Sequence, residues 1–375
     1  MRIGMLGHKV VPSRRGGIEL VLTTMAPMMV KKGHEVTCYN RRGDRVENEY
    51  EGTVKNGCYE GVQLKTVWAI QKRGLSAVTS SFSAALRASF SQHDILHFHA
   101  LGPCAAIWIP KLLGKRCVAT VHGLDWQREK WQKGFGAKYI KFGERMIVRW
   151  ADEIIVLSKG VKQYYLDTYG RETTLIPNGV TRPQTREADL ITETYGLEKD
   201  SYFLLLARLT EEKGVHYLIE AYKNLKTEKK LVIVGGSSDT DEYVARLKAM
   251  AGDDPNILFT GFVSGRTLEE LYSNAYVYIL PSNVEGMPLS LLEALSYGNA
   301  VICSDIPENT DVIGDCGIPF RKGDVRDLTE KLHQTLLDTA LVQRLKESAA
   351  DYICGRYSWD HVVEETLQLY GRIRR

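Results

Sequence analysis

Short apolar runs separated by amphipathic stretches constrain this 375-residue chain more than any other feature. In the first half the runs fall at 2–6, 35–39, 62–68, 95–98, 117–121, 153–157 and 174–176. In the second half they fall at 202–206, 231–234, 257–259, 277–280 and 301–303. Continuous apolar strands with helical sequence between them predict parallel sheets covered on both faces. The pattern starts afresh near Tyr202 and the length exceeds one typical core, so two doubly wound domains are expected. Proline and glycine interrupt the periodicity at Pro177-Asn178-Gly179-Val180 and again at Pro183, which marks the join. Residues 1–180 then form the first domain and 181–356 the second, with an amphipathic helix over 357–375 capped by Ser358.

The net charge of +3 hides an asymmetry. Residues 1–180 carry 27 Lys and Arg against 15 Asp and Glu, whereas 181–375 carry 22 against 31. A basic first half suits contact with an anionic surface such as a membrane, and it equally describes a solvated face with no partner. Seven cysteines (Cys38, Cys58, Cys104, Cys117, Cys303, Cys316 and Cys354), none in Cys-x-x-Cys spacing, suit a reduced, cytosolic protein. The opening residues read as a strand rather than a signal peptide, and no apolar run reaches membrane-spanning length. Any membrane contact is therefore expected to be peripheral, on the inner face. Neither a solenoid-type repeat nor a low-complexity tract is present.

In open parallel sheets, ligands bind outside the carboxyl ends of the strands. Two such domains are expected to face each other across a cleft lined by the loops after Leu6, Phe98, Val121, Leu206, Val234 and Leu280. The richest of these runs from Pro281 through Asn283, Glu285, Gly286, Met287 and Pro288 to Leu289 and Glu293. A helix is expected over 289–297, with Glu285 in the loop before it and Glu293 inside it. Free amides at a helix start favour phosphate, and a carboxylate on each side can accept hydroxyl hydrogens. That suits a diphosphate between two polyhydroxylated rings, as in a nucleotide sugar.

After the run 202–206, Arg208 and Lys213 can bracket a diphosphate and stabilise it as a leaving group without Mg²⁺. They can also be surface cations answering Glu211 and Glu212. Gly236, in Gly235-Gly236-Ser237, can border a ligand with its backbone, and Phe262 can supply a wall for a base; either can be only part of a turn. In the first half, Gly16 and Gly17 open a helix and let phosphate approach the amides. That loop is neither G-x-G-x-x-G nor a Walker A sequence, which counts against a dinucleotide dehydrogenase or a P-loop enzyme. His97-Phe98-His99, expected in a loop, invites a zinc reading. No third ligand stands at a suitable spacing, and alternating strand residues share a face without a metal, so no metal site is expected. His122 ends a strand before Gly123 and is placed to hydrogen-bond a ligand, although a lone histidine is often structural.

Together these residues resemble the family-four retaining glycosyltransferases of the GT-B fold, over nearly the whole chain. The matching signatures are Gly16-Gly17, His122-Gly123, Pro177-Asn178-Gly179-Val180, Arg208 with Lys213, Gly261-Phe262, Glu285 with Glu293, and the Tyr357-Ser358-Trp359 helix. The resemblance implies an α/β architecture of two Rossmann-like domains, with the last helix crossing back onto the first. It implies that Arg208 and Lys213 hold the donor diphosphate. Glu285, with the backbone of Gly286, Met287, Pro288 and Leu289, would take the donor sugar, and Glu293 the ribose. Gly17 would admit the diphosphate, and His122 would position the sugar. The implied reaction transfers the sugar from a UDP- or dTDP-sugar with retention and needs no metal or other cofactor. The opening stretch, Gly7-His8-Lys9 through Gly16-Gly17-Ile18-Glu19, is similar to a subset of bacterial polysaccharide enzymes described as rhamnosyltransferases.

Residues 126–150 interleave cations and aromatics: Trp126, Arg128, Lys130, Trp131, Lys133, Phe135, Lys138, Tyr139, Lys141, Phe142, Arg145, Arg149 and Trp150. An interfacial helix on anionic lipid has this composition, and Lys31-Lys32 and Arg41-Arg42 add charge. A lipid-linked glycan acceptor is the corresponding expectation. An ordinary surface helix with Phe142, Met146 and Trp150 turned inward fits equally. The rival functions are a nucleotide-sugar epimerase, a phosphorylase-like enzyme, or a non-catalytic binding protein of the same architecture. No nucleic-acid-binding module is recognisable, so no nucleic-acid partner is expected.

Overall fold

Parallel strands form where the apolar runs predict them. The computed structural model describes residues 1–46, 50, 52–72, 74–127, 134–238 and 240–374. Two units separate: Met1–Gly179 together with the chain from Trp359, and Val180–Ser358.

The first unit holds β1 (Arg2–Leu6), β2 (Glu35–Arg41), β3 (Cys58–Tyr59), β4 (Val62–Val67), β5 (Ile95–His99), β6 (Arg116–Val121), β7 (Glu153–Val156) and β8 (Thr174–Leu175). They lie in the order β3-β4-β2-β1-β5-β6-β7-β8. All neighbours are parallel except the β3–β4 edge pair. The second unit holds β9 (Tyr202–Leu206), β10 (Lys230–Val234), β11 (Ile257–Gly261), β12 (Val277–Leu280), β13 (Ala300–Ser304) and β14 (Ile318–Phe320). Its order is β11-β10-β9-β12-β13-β14, parallel throughout. In each sheet the order reverses beside the first strand, at β1–β5 and at β9–β12, and ligands of such sheets bind at that reversal.

The central strands are buried at nearly every position, which is why they read as unbroken apolar runs rather than alternating ones. Two strands had no such signal. β3 is two residues long, and β14 carries Pro319, which an edge position tolerates because it lacks a donor for a further neighbour. One expectation needs correction. His97-Phe98-His99 is not a loop, because β5 stays paired with β6 through His99 and Thr120.

The C-terminal helix Trp359–Arg374 belongs to the first unit and packs against the helix Gly17–Lys31. It buries Trp359, Val362, Val363, Thr366, Leu369 and Tyr370, a single face at three- and four-residue spacing. The Tyr370 hydroxyl reaches Nδ1 of His97 in β5 at 2.5 Å, and Arg374 reaches Asp94 at 3.6 Å. Tyr370→Ala therefore removes a fully buried ring and should cost about 3–5 kcal/mol. Tyr370→Phe keeps the ring, strips His97 of that partner and should cost about 1–3 kcal/mol. Urea unfolding curves of the two variants measure the difference; equal and negligible losses would show that the helix is not anchored there.

Candidate active site

In the second unit the reversal of strand order opens a gap. β9 and β12 pair only at Phe203 with Val277 and Leu204 with Tyr278, yet β9 runs on to Leu206 and β12 to Leu280. The Tyr278 hydroxyl bridges the diverging ends, donating to the Leu206 carbonyl at 3.1 Å and meeting Ser290 Oγ at 2.9 Å. Burial pushes this phenol far above its ordinary range, so it stays a neutral donor.

The loops after the two strands are laced together. The Asn283 amide donates to the Glu212 carbonyl at 2.7 Å. Gly214, at φ +65°, passes so close that a Cβ would stand 2.1 Å from the Pro281 carbonyl oxygen. Only glycine meets both demands. Lys213 closes a one-turn 3-10 segment, Glu211–Lys213, just before that glycine. Its Nζ reaches Glu285 Oε1 at 2.5 Å, with side chains 14% and 7% exposed. The structure thus joins two residues that lie 72 positions apart in sequence.

The loop after β10 holds the other side of the Arg208 segment. Leu209 N donates to the Gly236 carbonyl at 3.0 Å, and Thr240 Oγ1 donates to the Leu209 carbonyl at 2.6 Å. Gly235, at φ +139°, would place a Cβ 1.8 Å from the Ala207 carbonyl oxygen, and its amide donates to the Gly261 carbonyl at 2.9 Å. Arg208 is exposed two residues beyond β9. Phe262, beyond β11, is half exposed.

The Glu285 loop continues through buried Gly286, Met287 and Pro288 into the helix Leu289–Ser296, whose first turn has no side-chain cap. Glu293 lies one turn in and accepts from the Tyr272 hydroxyl at 3.3 Å. The Tyr272 ring stacks on Tyr297 at 5.2 Å. Glu308 lacked any sequence signal. It stands at the start of the helix Pro307–Ile313, after β13. Burial raises its carboxyl above the usual range, and the negative charge of Glu285 adds to that rise.

In the first unit, the loop from Gly7 to Gly16 is fixed by side chains from β2 and the first helix. Asn40 Oδ1 accepts from Val11 N at 3.0 Å and meets His8 Nε2 at 3.0 Å, while Asn40 Nδ2 donates to the Val11 carbonyl at 2.8 Å. Glu19 Oε1 accepts from Lys9 N at 2.8 Å, and the Glu19 carboxylate lies beside Gly16. Gly17, the first residue of the helix, is exposed.

His122, just past β6, meets His99 Nδ1 through its Nε2 at 3.0 Å. The His97 and His99 rings lie against each other, tilted by 32°, with centroids 4.2 Å apart. His97 bonds Thr120 Oγ1 at 2.6 Å with its Nε2 and Tyr370 with its Nδ1, so both nitrogens are engaged by hydroxyls. Burial, with a smaller push from His122, lowers His97 to about 3. Burial likewise holds His99 well below the ordinary histidine value. Both rings are neutral at pH 7. Among the described residues, no group of three or more His, Cys, Asp or Glu side chains could hold a metal ion.

Residues 189–352 match the family described as Glycosyl transferases group 1, and residues 15–182 match Glycosyltransferase Family 4. The chain is 23% identical to the alpha-maltose-1-phosphate synthase of Mycolicibacterium smegmatis over the full length of both. It superposes on the sucrose-phosphate synthase of Thermosynechococcus elongatus with a TM-score of 0.82 at 19% identity, covering 99% of this chain and 98% of that one. It superposes on Anabaena HepE in complex with UDP and glucose with a TM-score of 0.81 at 15% identity, covering 99% and 100%.

Proposed function

Because the chain belongs to the glycosyltransferases, with a Family 4 domain followed by a group 1 domain on the GT-B fold, we propose that it transfers a hexose or deoxyhexose with retention. The donor is a nucleoside-diphosphate sugar and the acceptor a glycan. One observation carries this reading: the Lys213–Glu285 pair at the reversal of strand order, with Arg208 on the same loop as Lys213. Arg208 and Lys213 neutralise the diphosphate as it leaves, which supplies the charge a metal ion would otherwise bring. Glu285 accepts from the sugar hydroxyls, and the backbone from Gly286 to Leu289 surrounds them. Glu293 takes the ribose, Gly236 and Phe262 border the nucleotide, Gly16 and Gly17 admit phosphate, and His122 hydrogen-bonds the sugar. Glu285 is tied to Lys213 rather than poised as a nucleophile. The acceptor oxygen therefore bonds to the anomeric carbon on the face from which the phosphate oxygen departs, and its proton passes to a donor phosphate oxygen.

The donor is a UDP- or dTDP-sugar, and the likeness to a complex holding UDP and glucose supports the UDP alternative. The opening stretch from Gly7 to Glu19 supports rhamnose as the sugar and polysaccharide synthesis as the setting. Arg208→Ala and Lys213→Ala should each lower kcat by about 10²–10³. Nucleoside diphosphate release, followed in EDTA together with the anomeric configuration of the product, measures this. Full activity in both variants, or an inverted product, would remove the assignment.

A lipid-linked acceptor at the cytoplasmic face of a membrane is part of the same proposal. Among the described residues, no helix is long and apolar enough to cross a membrane. The helix Gly134–Trp150 supports a peripheral contact. Ile140, Gly143, Glu144 and Ile147 are buried, while Phe135 (78% exposed) and Phe142 (43%) stand outside with Lys138, Lys141, Arg145 and Arg149. Of the two readings of this helix, the ordinary surface helix has Phe142 turned inward, which its exposure contradicts, whereas Met146 and Trp150 do pack against the core. Arg41 adds no charge to this face, since it turns in toward Ser80 and Asp44. Arg128, Lys130, Trp131 and Lys133 lie outside the described residues. Each basic residue near an anionic surface contributes about 1 kcal/mol. The protein should co-sediment with phosphatidylserine-containing vesicles at low salt, and Phe135→Ser/Phe142→Ser should release it. No sedimentation at any salt concentration would sink the membrane part of the proposal.

A further inference from the structure

The histidines of β5 bear on which nitrogen of His122 carries its proton. His99 is a neutral ring with one N–H to place. Its Nδ1 faces His122 Nε2, and its Nε2 is buried with no hydrogen-bond partner. If the proton sat on His99 Nε2, a buried donor would be left unsatisfied, and orphaned N–H groups are the rarer and costlier kind. If it sits on Nδ1, that N–H donates to His122 Nε2 and only a bare acceptor is orphaned. His122, with Nε2 accepting, then carries its own proton on Nδ1.

We propose that His99 is a positioning residue that fixes His122 as the Nδ1–H tautomer. His122 then acts toward its ligand as a hydrogen-bond donor and not as a general base. This rests on the proposed function for its reading of His122 as a sugar contact, although the tautomer itself does not. His97, held between Thr120 and the C-terminal helix through Tyr370, packs against the His99 ring and hinders it from turning its nitrogens. A donor at that point suits an oxygen of the sugar or of the departing phosphate. It also fits a reaction in which the acceptor proton goes to the donor phosphate rather than to a side chain.

Histidine-selective ¹⁵N labelling of the full chain, with long-range ¹H–¹⁵N spectra, reads the tautomer of each of its nine histidines. A His122→Gln variant assigns the His122 signals. The expected pattern is a protonated Nδ1 and a bare Nε2 on both His99 and His122 at pH 7. His99→Asn keeps an N–H near the position of Nδ1 and should preserve the His122 pattern. His99→Leu removes that donor and should move His122 toward the Nε2–H form that free imidazole side chains favour. Protonation of Nε2 on His122 in the unaltered protein overturns the proposal, and so does an unchanged pattern in a folded His99→Leu variant. Adding UDP-glucose separates the two layers: the predicted tautomers with His122 signals unmoved at saturating ligand leave the positioning role standing and remove His122 from the sugar contact.

Discussion

The divergence of β9 from β12 is the constraint on which the second unit's site depends. Parallel pairing between the two strands ends at Leu204 and Tyr278, and the strand order reverses there. Without the gap, the carboxyl ends would be sealed by ladder hydrogen bonds and the two loops could not fold toward each other. With it, Tyr278 spans the gap, Gly214 lets one loop press on the backbone of the other, and Lys213 meets Glu285. An ion pair this buried is a poor stabilising device on its own account, because desolvation offsets most of the attraction. Under the proposed function, its placement is preorganisation: a cation and a carboxylate already held in place for a diphosphate sugar.

Much of this was legible in the sequence, for physical reasons that can be named. Strands buried on both faces leave unbroken apolar runs, so β1, β5, β9 and β12 could be read directly. The helix after Met287-Pro288 announced itself by its apolar content and appears as Leu289–Ser296. Arg208, Lys213 and Glu285 are singled out by the sequence as candidates because they lie in loops after parallel strands, and Glu293 because it lies in the helix that follows. β3 and β14 were not legible, since a two-residue edge strand and a strand interrupted by proline carry no period. Pairings across long sequence distance were hidden as well. Lys213 with Glu285, and His97 with Tyr370, exist only through the strand order and the docking of the last helix.

The histidine contacts follow from strand geometry. His97 and His99 are two apart in a strand and must share a face. In the parallel register His99 pairs with Thr120, and His122 lies two residues further on the same side. That geometry points to a histidine–histidine contact once β5 and β6 are taken as neighbours. In the same arrangement His97 is committed to two hydroxyls. Glu308, which lies near enough to Glu285 to feel its charge, had no comparable signal because its position follows only from β13 lying beside β12.

The central claim is a diphosphate site built on Arg208, Lys213 and Glu285. Calorimetric titration of UDP, dTDP, GDP and NAD into the metal-free protein tests it most directly. The account predicts saturable binding of one nucleoside diphosphate, none of NAD, and loss of that binding in Arg208→Ala. Failure of all three nucleoside diphosphates to bind, or binding that survives Arg208→Ala unchanged, would contradict it.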